Sequence, residues 1–225
     1  MKVLKTRKEF PPDLRKGKVL YFVGDSHCIT PAYQNINFMG QSRLIHSYLS
    51  TGTKIWHLRP ESKFYPKVNF YNVIKTIPKN SPVILCFGGI DCREALLLCV
   101  EKAKYDSLEE AIETVIEIYI DVIQDLVRKY QWEIFVHPVM PVLDLTRSLV
   151  MQFNSSLKIR VKKEKDISWL DFVDDLLYTN AEGDQVLKEE YKFDGTHVHP
   201  GYTHLLEKAL EKSTHDTNNY QDNLS

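Results

Sequence analysis

The sequence predicts an α/β domain, a three-layer α/β/α sandwich whose central, mainly parallel sheet has about five strands. Three observations predict it. Short β-branched and aromatic runs alternate with amphipathic stretches. The strongest runs are continuously apolar, as strands covered on both faces are. The 225 residues, 43% of them hydrophobic, suffice for one sizeable core. That domain is placed at residues 17–213, after a basic extension at 1–16 and before a polar, aperiodic tail at 214–225 read as disordered.

The first strand is residues 19–23, Val-Leu-Tyr-Phe-Val, bounded by Gly17 and Gly24. Further strands are expected at 36–39, 55–58, 83–87 and 133–139, with 167–172 as a weaker last one. The clearest helix is 107–129. Ser107 opens a Ser-x-x-Glu capping box with Glu110, and apolar residues from Leu108 to Val127 recur at spacings of three and four. Two more amphipathic helices are expected, around 145–159 and 202–212, and Gly195, Pro200 and Gly201 mark a loop just before the second.

Charge excludes some classes of partner. With 29 basic against 30 acidic residues the net charge is −1, so the chain lacks the electrostatic footprint of a duplex nucleic-acid binder. Residues 1–8 are basic but lack the apolar centre of a secretory signal, and no apolar run approaches the ~18 residues of a membrane span. No membrane insertion is expected, and a cytoplasmic protein is. Cys28, Cys86, Cys92 and Cys99 form no close Cys-x-x-Cys pair. Cys28 and Cys92 flank the stretches considered next.

Two short strings carry the chemistry. Gly24-Asp25-Ser26-His27 follows the first strand, and Asp194-Gly195-Thr196-His197 lies near the C-terminus. A serine just past a buried strand sits on the ligand-binding edge of an open parallel sheet. An acid and a histidine three residues apart can lie on one side of a turn, the carboxylate fixing the imidazole tautomer. Together they supply the parts of a nucleophilic hydrolase.

At these residues the chain resembles the SGNH or GDSL hydrolase family, whose first block reads Gly-Asp-Ser and whose last reads Asp-x-x-His. The resemblance implies a flavodoxin-like sheet, Ser26 as nucleophile, His197 as general base and Asp194 as its orienting acid. The family's third block reads Gly-x-Asn-Asp. Here Gly88-Gly89-Ile90-Asp91-Cys92-Arg93 follows the 83–87 strand, with isoleucine where an amide would donate to the oxyanion. A subgroup with a Gly-Asp-Ser-His start and a Gly-x-Ile-Asp-Cys-Arg third block is closer. Gly40 is the first choice for the second-block glycine and Gly52 the second. Arg93 could be a substitute donor, a holder of an acidic substrate group, or a structural partner of Asp91. Asn154 is the next donor candidate.

What the resemblance implies is hydrolysis of small, acetyl-like O-acyl groups from a small-molecule or glycan ester, through an acyl-enzyme and with no cofactor. Two other readings stay open. One is a non-catalytic glycan-binding domain, with Ile90 as its evidence and Trp56, Tyr65, Tyr71 and Trp169 as a sugar platform. The other is a metallophosphoesterase using Asp25, His27, Asp91, His197 and His199. Gly89 stands where that class needs an aspartate, and no Gly-Asn-His-Glu string occurs.

Overall fold

The computed structural model describes residues 19–222, with side chains as far as Ser213. The extension at 1–16 lies outside the described residues. A six-stranded sheet runs in the order β2-β3-β1-β4-β5-β6. The strands are β1 (Val19–Gly24), β2 (Asn35–Phe38), β3 (Gln41–Leu49), β4 (Pro82–Cys86), β5 (Glu133–Val136) and β6 (Ile167–Trp169). β2 pairs antiparallel with β3 as an edge hairpin, and the other pairings are parallel. The parallel strands follow the chain order second, first, third, fourth, fifth, which is the flavodoxin-like arrangement. The order reverses between β1 and β4, and a crevice opens beyond their C-terminal ends.

Side chains alternate between two cores, as the two-residue period of a strand requires. Val23, Val83, Leu85, Ile134 and Val136 point into one core, with α1 (Tyr65–Ile74), α2 (Leu96–Glu101), α3 (Leu108–Tyr130) and α4 (Arg147–Val161) packed over them. Leu20, Phe22, Ile84, Cys86 and Phe135 point into the other, covered by α5 (Thr203–Asp222) and the segment before it. α3 is the chief crossover. Ser107 Oγ accepts from Glu110 N at 3.1 Å, and nine side chains from Ala111 to Leu126 are buried. Each of the large ones contributes ~1.5–3 kcal/mol by leaving water.

The six-stranded sheet agrees with the expected mainly parallel sheet of about five strands, though β3 is a full strand that the apolar pattern hid: of Gln41–Leu49 only Ile45 is fully buried. Two expectations are corrected. Residues 55–58 form a single 3₁₀ turn instead, with Ile55 and Leu58, three apart, both buried. Residues 214–222, read as a disordered tail, continue α5 as helix.

Two glycines let the crevice form. A Cβ on Gly24 would stand 2.5 Å from the Cys86 carbonyl oxygen, so only glycine lets the end of β1 lie this close to β4. Gly88 has φ +110° and would push a Cβ to 2.8 Å from Val139 Cγ2.

Candidate active site

β1 ends at Gly24 and turns at once into a 3₁₀ helix, Ser26–Ile29. Asp25 caps it, its Oδ1 accepting from His27 N at 3.0 Å, while Asp25 N donates to Cys86 O at 3.2 Å. The turn leaves Ser26 exposed at the mouth of the crevice. From the other end of the chain, the 192–200 loop is tied down by a Lys192 to Val198 bridge and by His199 N donating to Tyr191 O at 2.8 Å. Within the loop Asp194 does two things. Its Oδ1 accepts from Thr196 N at 3.0 Å and His197 N at 2.7 Å, which makes the turn. Its Oδ2 lies 2.8 Å from His197 Nδ1, which fixes the ring.

His197 Nε2 then stands 2.8 Å from Ser26 Oγ. Ser26, His197 and Asp194, 171 residues apart at their extremes, therefore form one continuous hydrogen-bonded chain. In the tautomer that serves it, Nδ1–H donates to the carboxylate and Nε2 accepts from the hydroxyl. The bond to the His197 ring, with the two backbone N–H donors, holds the Asp194 carboxyl well below its ordinary range. His199 takes no part: its Nδ1 accepts from Gly201 N at 3.1 Å and caps the turn leading into α5.

Behind Ser26 lies a buried polar floor. The His27 ring is 4.9 Å from that of His197, tilted by 56°. His27 Nδ1 and Asp25 Oδ2 are buried without hydrogen-bond partners. Burial lowers the His27 imidazole to about 4 and raises the Asp25 carboxyl to about 6. Gly89 closes this floor from above, since a Cβ there would stand 3.4 Å from Asp25 Oδ2 and 3.5 Å from His27 Cδ2. Asp91, wholly buried and raised by that burial to about 6, accepts from Ile55 N at 2.8 Å and Trp56 N at 3.2 Å. It bolts the loop after β4 to the loop after β3.

The remaining sequence candidates divide. Gly88 and Gly89 lie at the crevice, beyond β4, where a helical segment begins at Gly89 and widens into a π-turn at Asp91–Ala95. Arg93 sits on that π-turn with its side chain one-third exposed, and its charge acts on both Asp25 and His27. Its ion partner is Glu94, at 3.3 Å, rather than Asp91. Gly40 is corrected: with Met39 it forms the tight β2–β3 hairpin turn, at the opposite edge of the sheet from Ser26. Gly52 follows β3 on the crevice edge, in a loop where Ser50 N donates to Gly24 O at 2.8 Å. Asn154 is corrected too. Its amide brackets Val139, accepting from N and donating to O at 2.8 Å each, and so pins the loop after β5.

Cys28 and Cys92 are buried, and burial pushes the Cys28 thiol up to about 12, the reverse of what a thiolate nucleophile needs. Among the described residues no three His, Cys, Asp or Glu side chains converge as metal ligands would, and no helix is long and apolar enough to cross a membrane. Sequence reasoning missed His27 as the ring behind His197 and Asp91 as the bolt between loops, both of which depend on contacts that no spacing rule encodes.

With this geometry established, the fold can be compared with known proteins. No known family profile matches the chain, and no curated protein sequence does. Solved structures do. The lipase Lip_vut3 from a goat rumen metagenome superposes with a TM-score of 0.54 at 13% identity, over 87% of this chain and 97% of that one. A catalytic variant of Axe2, an acetylxylan esterase from Geobacillus stearothermophilus, gives 0.51 at 14% identity, over 88% and 94%. This chain shares their fold. At such identities the likeness concerns architecture, and the chemistry has to be argued from the residues above.

Proposed function

We propose that the chain is a serine ester hydrolase of the SGNH type, acting on small acetyl-like O-acyl groups of a small-molecule or glycan ester. The observation that carries this reading is the unbroken chain from Ser26 Oγ through His197 to Asp194, 2.8 Å at each link, opening onto the crevice. His197 takes the Ser26 proton as the oxygen attacks the acyl carbon, and returns it to the departing alkoxide as the acyl-enzyme forms. Water then repeats the sequence with the same base, and the serine is regenerated. Asp194 holds the ring and offsets its positive charge. Backbone N–H groups of Ser26, Gly52 and Gly89 are the candidates for the oxyanion, in place of the side-chain donor that Ile90 cannot be. That the same fold houses a lipase and an acetylxylan esterase is compatible with this reading.

The second reading, a glycan-binding domain without turnover, is favoured by Ile90 alone. p-Nitrophenyl acetate separates the two. Ser26→Ala should cut its hydrolysis by at least ~1,000-fold with the fold intact. Equal turnover by the variant, or none by the native chain, would exclude the hydrolase.

A further inference from the structure

The chain is neutral overall, yet one wall of the crevice is not. Residues 50–67, which leave β3 beside Gly24 and run into α1, hold Lys54, Arg59, Lys63 and Lys67 against the single acid Glu61. The structure adds Arg93 to the same wall, because Asp91 bolts its π-turn to Ile55 and Trp56.

The acids present do not balance these cations. Glu94 is shared, 3.3 Å from Arg93 and 3.5 Å from Lys54. Glu61 is engaged by Arg59 at 2.8 Å. Lys67 Nζ donates to the carbonyls of Arg59 at 2.6 Å and Pro60 at 2.8 Å, neutral acceptors that orient the ammonium without cancelling its charge. Asp25 and Asp91 are buried beneath the wall rather than on it. Asp194 belongs to the opposite flank, where Thr196 N, His197 N and the His197 ring hydrogen-bond its carboxylate.

Beside the cations stand flat rings. Phe64 and Tyr65 are 61% and 71% exposed where the loop enters α1, the Phe64 ring 4.9 Å from that of His57 in the same loop. Sugars present apolar faces to such rings, and a guanidinium grips a carboxylate with two parallel N–H donors.

We propose that this wall is a subsite for a carboxylate-bearing saccharide, so that the ester cleaved at Ser26 sits on an acidic glycan rather than a neutral one. The proposal rests on the serine-hydrolase reading for its chemistry, but its binding claim is separable. Arg93 reads the carboxylate, Lys54 and Lys67 supply the field that draws it in, and Phe64 and Tyr65 hold the sugar plane.

The test is calorimetric binding of tri-galacturonate and of the matching neutral α-1,4-galactotriose, in which each carboxylate is replaced by a hydroxymethyl group and neither of which holds an ester bond. The native chain should bind the acid at least ~10-fold more tightly at low salt, with the advantage shrinking toward ~2-fold at 0.5 M salt. Arg93→Gln and Lys67→Gln should each reduce that ratio by ~3-fold or more. Lys129→Gln, at the far end of α3 over the Tyr130 ring, should leave it unchanged. Equal affinity for the two probes, no binding of either, or a preference untouched by both site variants would overturn the subsite. Acid-selective binding by a chain that hydrolyses no ester would instead retain the subsite and remove the serine mechanism.

Discussion

The two sides of Ser26 are built in opposite ways. On the solvent side, Asp194 and His197 are partly exposed and fully hydrogen-bonded, and the carboxyl is held below its ordinary range by its neighbours. On the protein side, Asp25 and His27 are buried with an orphaned polar atom each, and burial drives both toward their neutral forms. On the proposed mechanism the difference separates two tasks. Proton transfer needs an ionised carboxylate that orients an imidazole able to accept the serine proton, whereas the floor needs only shape, so it tolerates polar atoms that would be expensive as charges.

The largest effects should fall on the solvent side. His197→Ala should remove at least ~1,000-fold of ester hydrolysis, as loss of a base does in serine hydrolases generally, whereas His199→Ala should cost less than ~5-fold. Steady-state rates on one ester decide it, and an essential His199 would mean that the Asp-x-x-His turn has been misread.

An intermediate effect is expected at the crevice roof. Ile90→Asn should raise turnover by ~10- to 100-fold if the oxyanion lacks a side-chain donor there, in line with the value of one such donor. No change in kcat, with Ser26 still required, would place the full donor set in the backbone.

The floor yields a smaller effect, seen in stability. Asp25 has its carboxyl raised from 3.8 to about 6 in the fold, so the folded state binds that proton more tightly than the unfolded chain does. The stability it contributes is fully present below pH 4 and is lost as pH rises through 6. Asp25→Asn keeps the capping oxygen and cannot ionise. It should match the native chain near pH 4 and exceed it at pH 8 by up to about 3 kcal/mol. Denaturant unfolding at the two values checks this, and a difference that does not vary with pH would remove burial as the cause.

The same contrast governs what could be read from the sequence. β1, β4, β5 and α3 announce themselves because each buries a run of the right period. That Ser26, His197 and Asp194 come together was legible in part, because the local chain orients both an Asp-x-x-His turn and a residue just after a strand, while the sheet brings the two ends of the chain to one edge. β3 was not legible, since Ile45 is its one fully buried residue and the polar Gln41, Ser42, Arg43, His46 and Ser47 break up its apolar pattern. Missing β3 also misassigned Gly40: Gly40 and Gly52 both follow short apolar runs, and only the strand's direction says which reaches the crevice. Asn154 misled for a different reason. An amide that clamps a backbone N–H and carbonyl fifteen residues away has the same sequence appearance as one aimed at a substrate.

The central claim is that Ser26 is a nucleophile activated by His197. Treatment with an organophosphonate ester, followed by mass spectrometry of the digested chain, addresses it without assuming any natural substrate. One adduct is expected, on the Ser26 peptide, absent from both Ser26→Ala and His197→Ala. An unlabelled chain, or equal labelling of the His197→Ala variant, would contradict it.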